Sequence, residues 1–215
     1  MPGKAIRRLI WVPVIHTQAD MGGLRESVKA FHVRRAGEAK WKQHIETIEE
    51  IWRGIRADIE GLNLPYHRVR LYQDGLPNCG HEASIVKDLA AAGSPNHRLL
   101  LDLMAKGAVI TGTESADLLL EEYELIREVM AAPTPEKASE LARRYKHESG
   151  LLLDRRDTYI AGRIAATLRP GETALVFLGL LHSLEGLLPE DIQVTRARHG
   201  ADGGRPDCKG DSTNG

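Results

Sequence analysis

The chain has 215 residues, 42% of them hydrophobic and 27% charged, which suits one globular domain of generous size with a real core. Its 29 Lys and Arg balance 30 Asp and Glu to a formal charge of -1, so there is no electrostatic reason to expect nucleic acid or an anionic membrane as the main partner. Two distant cysteines, Cys79 and Cys208, argue against a disulfide framework, no apolar run approaches a membrane span, and a cytoplasmic protein is the expectation.

Residues 5–15 read as the first strand, rich in Ile, Trp and Val, with Pro13 marking an edge, a bulge or a strand end because it lacks a ladder donor. Met21-Gly22-Gly23 breaks the chain. From Gly37 to Gly61 the period becomes helical, with Ile45, Ile48, Trp52, Ile55 and Ile59 forming one apolar stripe. Arg68 to Tyr72 is the second strand, closed by Asp74-Gly75-Leu76-Pro77, and a helix follows from His81 to Ala92. Ser94-Pro95 caps another helix that Gly107 ends. Ala108 to Thr111 is a short buried strand, and Ser115 caps the next helix. Thr134 caps a further one after Pro133, and Gly150 is expected to break it before a last helix over 151–168. Ala174 to Leu178 is the clearest buried strand, Ile192 to Arg196 the last, and the Gly- and Asp-rich residues 199–215 read as a disordered tail. Strands alternating with helices predict a single α/β domain over 1–198, its sheet mixed but largely parallel and covered by helices.

Four of these strands end in polar clusters: Pro13-Val14-Ile15-His16, Gln73-Asp74, Gly112-Thr113-Glu114, and Gly179-Leu180-Leu181-His182. Open α/β sheets bind ligands beyond the carboxyl ends of their strands, so these residues are candidates for one shared site. A lone histidine after an apolar strand is commonly an ordinary hydrogen-bonded residue. Two of them, His16 and His182, beside Glu114 or Asp74 suit zinc, manganese or cobalt, with an open position for water. Turn formation explains Asp74 well; it explains Glu114 less well, because Ser115 already caps the following helix. His81 and Glu82, after Cys79-Gly80, read either as a helix start or as part of a binding site. Asp154-Arg155-Arg156-Asp157 reads as a solvated charged turn or as the source of one inward arginine that clamps a substrate.

Asp154-Arg155-Arg156-Asp157-Thr158-Tyr159-Ile160-Ala161, followed by a strand ending Gly179-Leu180-Leu181-His182 and then Glu185-Gly186-Leu187, resembles the TraB/Tiki (GumN-like) superfamily, related to ChaN- and erythromycin-esterase-like folds. Arg156 falls on the family arginine, with Ile160 in place of methionine, and Gly179 and His182 fit the second Gly-x-x-His motif. At the first motif the histidine is kept as His16 and the glycine is Pro13. The resemblance implies a two-histidine, one-acid site in a metal-dependent hydrolase of amide or ester bonds, acting on a small molecule or peptide. His16, His182 and Glu114 would hold a divalent Mn, Co or Zn ion. Glu114 and Arg156 would serve the reaction, and Asp74, His81 and Glu82 would contact substrate. The alternative is a non-catalytic module, for haem or another small ligand, or a regulatory protein with the same fold.

Overall fold

The computed structural model of the chain describes residues 6–15 and 25–197. His16 and the expected tail lie outside them. Five strands, β1 (Arg7–Val14), β2 (Val69–Gln73), β3 (Val109–Thr111), β4 (Thr173–Gly179) and β5 (Ile192–Arg196), form one sheet in the order β3-β2-β4-β1-β5. Every pairing is parallel, so the antiparallel component of the expected mixed sheet is absent among the described residues. The helices are α1 (Arg25–Ala36), α2 (Glu38–Gly61), α3 (Glu82–Ala91), α4 (Pro95–Ala105), α5 (Ala116–Met130) and α6 (Pro135–Thr167). No helix among the described residues is long and apolar enough to cross a membrane.

Alternation along the strands divides the core between two faces. Ile10, Val12 and Val14 of β1, Val69 and Leu71 of β2, and Leu175 and Phe177 of β4 meet the stripe Ile48, Trp52, Ile55, Ile59 of α2 and Leu99, Leu100, Leu103 of α4. On the other face Leu9, Trp11, Tyr72, Ala174, Val176 and Leu178 meet Ile160, Ala161 and Ile164 of α6. Burial on both sides explains why β4 reads as an unbroken apolar run rather than an alternation. Moving from β1 to β2 to β3, the chain crosses over the first face; returning to β4, it crosses over the second. This is how a constant crossover hand distributes helices. The outgoing connections of the adjacent strands β2 and β4 therefore leave toward opposite faces, opening a crevice at their carboxyl ends.

Pro13 sits inside a central strand without breaking it. Trp11 turns its carbonyl toward β5, accepting from Ala197 N–H at 2.8 Å, and Pro13, two residues on, faces the same way. The next bond of the β5 ladder would run from residue 13 N–H to the Ala197 carbonyl, and without that donor the ladder ends at the Trp11–Arg196 pair. The expected strand end is thus the end of its neighbour. The break expected at Gly150 does not occur. Helix α6 runs unbroken through it, with Leu152 buried just beyond. Packing against α5 and the sheet outweighs the roughly 1 kcal/mol helix penalty of one glycine.

Candidate active site

The sheet's two edges treat charge differently. At the amino edge each buried arginine has its own acid: Arg7 Nε bonds Asp191 at 2.9 Å, and Arg70 grips Glu172 through two 3.0 Å bonds. At the carboxyl edge, among the described residues, Asp74, Glu114, Glu122 and Asp157 gather around Arg156 and His182. Among the described residues four carboxyl groups share two cationic partners there, and that sharing sets the cluster apart from the one-to-one ion pairs of the other edge.

Each side chain is delivered by the end of an element. Asp74 is the first residue after β2, held where Gly75 turns at φ 73°. Glu114 follows β3 and is fully buried. Its backbone is pinned by N–H donation to the Leu76 carbonyl at 3.0 Å and by Asn78 N–H donating to its own carbonyl at 2.8 Å. His182 follows β4 in a tight turn, its N–H donating to the Gly179 carbonyl at 3.2 Å. That turn leaves Leu180 and Leu181 at its corner, 71% and 84% exposed. Arg156 and Asp157 come from the middle of α6, on the buried face that continues through Ile160 and Ile164.

Arg156 lies at the centre. Its Nε and Nη2 grip Glu114 at 2.7 and 2.6 Å, Nη2 also donates to Asp74 Oδ1 at 2.8 Å, and Nη1 reaches Glu122 Oε2 at 2.7 Å. Burial disfavours the guanidinium charge, yet these carboxylates raise its pKa beyond the ordinary arginine value. Burial in turn pushes the Glu114 carboxyl upward, against the pull of Arg156. His182 is bracketed by acids: Nδ1 lies 2.5 Å from Asp157 Oδ1, and Nε2 lies 3.2 Å from Asp74 Oδ2. Burial alone would lower its pKa, but the hydrogen bonds with Asp157 and Asp74 lift it to about 9. Asp157 is itself fixed, since its second oxygen accepts the Ser183 N–H at 2.8 Å.

Of the residues singled out from the sequence, Asp74, Glu114, Arg156 and His182 converge. Ligand atoms of Asp74, Glu114 and His182 all lie within 4.8 Å of one another, the single grouping of this kind among the described residues. His16, the expected second histidine, falls outside the described residues. Glu82 does not join the cluster: its Oε1 accepts the N–H groups of Cys79 and Gly80 at 2.8 and 2.9 Å, closing the turn that starts α3. His81 is exposed at the cap position of that helix, and no hydrogen bond or ion pair ties it to the cluster. Four of the five N–H donors of Arg156, expected as a substrate clamp, bond three acids, which leaves one on Nη1. Asp157 and Glu122 were not anticipated. For Asp157 there was a signal, a charged residue on the same helical stripe as Leu152, Ile160 and Ile164. Arg155, its neighbour in sequence, points away to exposed Glu121 at 2.8 Å.

Donor chemistry fits a divalent cation of the zinc, manganese or cobalt type: two carboxylates, one imidazole, and a carboxylate behind the imidazole to orient it. A tally of lone pairs shows what binding would require. Asp74 Oδ2 accepts from Gly179 N–H at 3.0 Å and faces His182 Nε2, while Glu114 Oε1 accepts from Gly75 N–H at 2.9 Å and from Arg156. A proton on His182 Nε2 would have to leave before that nitrogen could hold a cation. The haem alternative calls for a histidine facing an apolar pocket, whereas both ring nitrogens of His182 face acids. Compared with known proteins, the chain matches no family model, no curated protein and no solved structure. Fold and site therefore define its class: a parallel, doubly wound α/β protein with a buried acid–histidine cluster at the carboxyl edge.

Proposed function

We propose that the chain is a metal-dependent hydrolase of amide or ester bonds, of the TraB/Tiki-like type that its motifs resemble, holding a divalent ion at Asp74, Glu114 and His182. The observation that carries this reading is the buried grouping of those three residues at the strand ends. A bound divalent ion supplies carbonyl polarisation and acidification of water at neutral pH. Asp157 holds the His182 ring by Nδ1, so that Nε2 faces the ligand position. Arg156 keeps Glu114 and Asp74 aligned and offsets part of their mutual repulsion. Glu114, gripped by Arg156 through both oxygens, would serve as a ligand of that ion.

Elemental analysis of the purified, untagged protein tests this, beside Asp74→Asn and His182→Ala variants. Stoichiometric zinc, manganese or cobalt in the parent and loss of it in both variants is expected. Asp157→Asn, which leaves all three ligands in place, is expected to weaken metal binding by about 10- to 100-fold. Absence of metal from the parent after incubation with each of the three ions would sink the reading.

A further inference from the structure

Arg156 gives four of its five N–H donors to acids of the protein, so a second arginine is better placed to hold an anion. Seven residues along α6 stands Arg163, about 10 Å further on and on a neighbouring part of the same helical face. Its Nε donates to the Gly112 carbonyl at 3.1 Å and its Nη2 to Asn78 Oδ1 at 3.0 Å, both neutral acceptors. Among the described residues no carboxylate pairs with it, and its Nη1 has no protein partner. Glu82 is near enough to feel this guanidinium, but its Oε1 is committed to the N–H groups of Cys79 and Gly80.

Pinning the loop after β2 accounts for two of the donors. Gly112 lies so close under that loop that a Cβ would fall 2.5 Å from Asn78 Cα, and Arg163 ties the two segments together. It does not account for Nη1, nor for the polar groups gathered beside it. The hydroxyl of Tyr159, one turn back on α6, lies 3.5 Å from Asn78 Nδ2, a contact long enough to leave both groups hydrogen-bonding capacity. Asn78 N–H donates to the Glu114 carbonyl at 2.8 Å, so this polar group adjoins the acid–histidine cluster directly.

We propose that Arg163, Asn78 and Tyr159 form a carboxylate-binding subsite of the same centre, so that the substrate bears a free carboxylate close to the bond that is cut. This rests on the hydrolase reading. A planar fork matches the two oxygens of a carboxylate, and a monoanion suits a position with Glu82 and the acid-rich cluster nearby better than a phosphate dianion does. Acetyl-trialanine is a suitable probe, because its three amide bonds lie one, two and three residues from its free carboxylate.

The test compares the free acid of acetyl-trialanine with its C-terminal carboxamide, by calorimetry and by the arginine Nε–Hε resonances of labelled protein. The acid is expected to bind about tenfold or more tightly than the amide, shifting the Arg163 resonance. That preference should vanish in Arg163→Met and shrink in Tyr159→Phe, which leaves the loop's bonds to Arg163 intact. Equal affinity for acid and amide, binding of neither, or a preference undiminished in both variants overturns the subsite. Metal content and peptide hydrolysis measured on the same preparation separate the two ideas. Acid-selective binding without metal or turnover keeps the subsite and ends the hydrolase reading. Metal-dependent cleavage of acid and amide with equal kcat/KM keeps the hydrolase and ends the subsite.

Discussion

Arg156 shows how one residue can be structural and functional at once. It is 5% exposed and its guanidinium touches Glu114, Asp74 and Glu122. Replacement by methionine keeps most of the volume but strands buried carboxylates without their cation. A loss of about 3–5 kcal/mol is expected by urea unfolding, with Arg156→Lys in between because an ammonium cannot make the bidentate grip. His182 gives the metal-free protein a pH dependence of definite sign. Its folded pKa of about 9 stands above the ordinary imidazole value of 6.5, so its stabilising effect is complete below that lower value and is lost as pH rises through about 9. In chelator, stability should fall by on the order of 3 kcal/mol between pH 6 and pH 10 through this group, and the fall should be absent in His182→Asn. A flat profile in the parent protein would remove the imidazolium from the account.

Among the elements, α6 decides most about the site, and it is also the one the sequence misdivides. Gly150 and the charged run Asp154 to Asp157 suggest a turn, yet the helix continues from Pro135 to Thr167 and presents Arg156, Asp157 and Arg163 along one side. Gly150 has an ordinary helical backbone and open space where a Cβ would go. Gly150→Ala should therefore stabilise the protein by about 0.5–1 kcal/mol, read as a raised Tm. A lowered Tm would mean that the position needs its flexibility. The caps, by contrast, are legible residue by residue. Ser94, Ser115 and Thr134 each accept the N–H three residues on, as predicted from a small hydroxyl residue set before a helical period. Caps are local, and local chemistry is what a sequence displays.

At the scale of the molecule, the order β3-β2-β4-β1-β5 brings together strand ends that are far apart in sequence: Asp74, Glu114 and His182. A ligand that binds only this assembled arrangement stabilises the folded state by mass action. With saturating metal, at about 100 times its dissociation constant, the gain is near 2.7 kcal/mol. Scanning calorimetry should show a Tm that climbs with metal concentration in the parent and stays constant in Asp74→Asn. An equal climb in both would place the metal elsewhere.

Composition and period were enough to determine an α/β domain with strands at 68–72, 108–111, 174–178 and 192–196, each end within a residue of the observed one, because burial on a sheet face or a helix stripe repeats along the chain. Strand ends carrying Asp74, Glu114 and His182 could be read as one possible site for the same reason: in a parallel sheet those ends share an edge. Which charges would meet there could not be read. That Arg156 turns inward and Arg155 outward, that Asp157 stands behind His182, and that Arg163 keeps a donor without a protein partner all depend on helix rotation and strand order. Those are set by packing two apolar faces across a sheet, a constraint between residues distant in sequence, and only the tertiary structure resolves it.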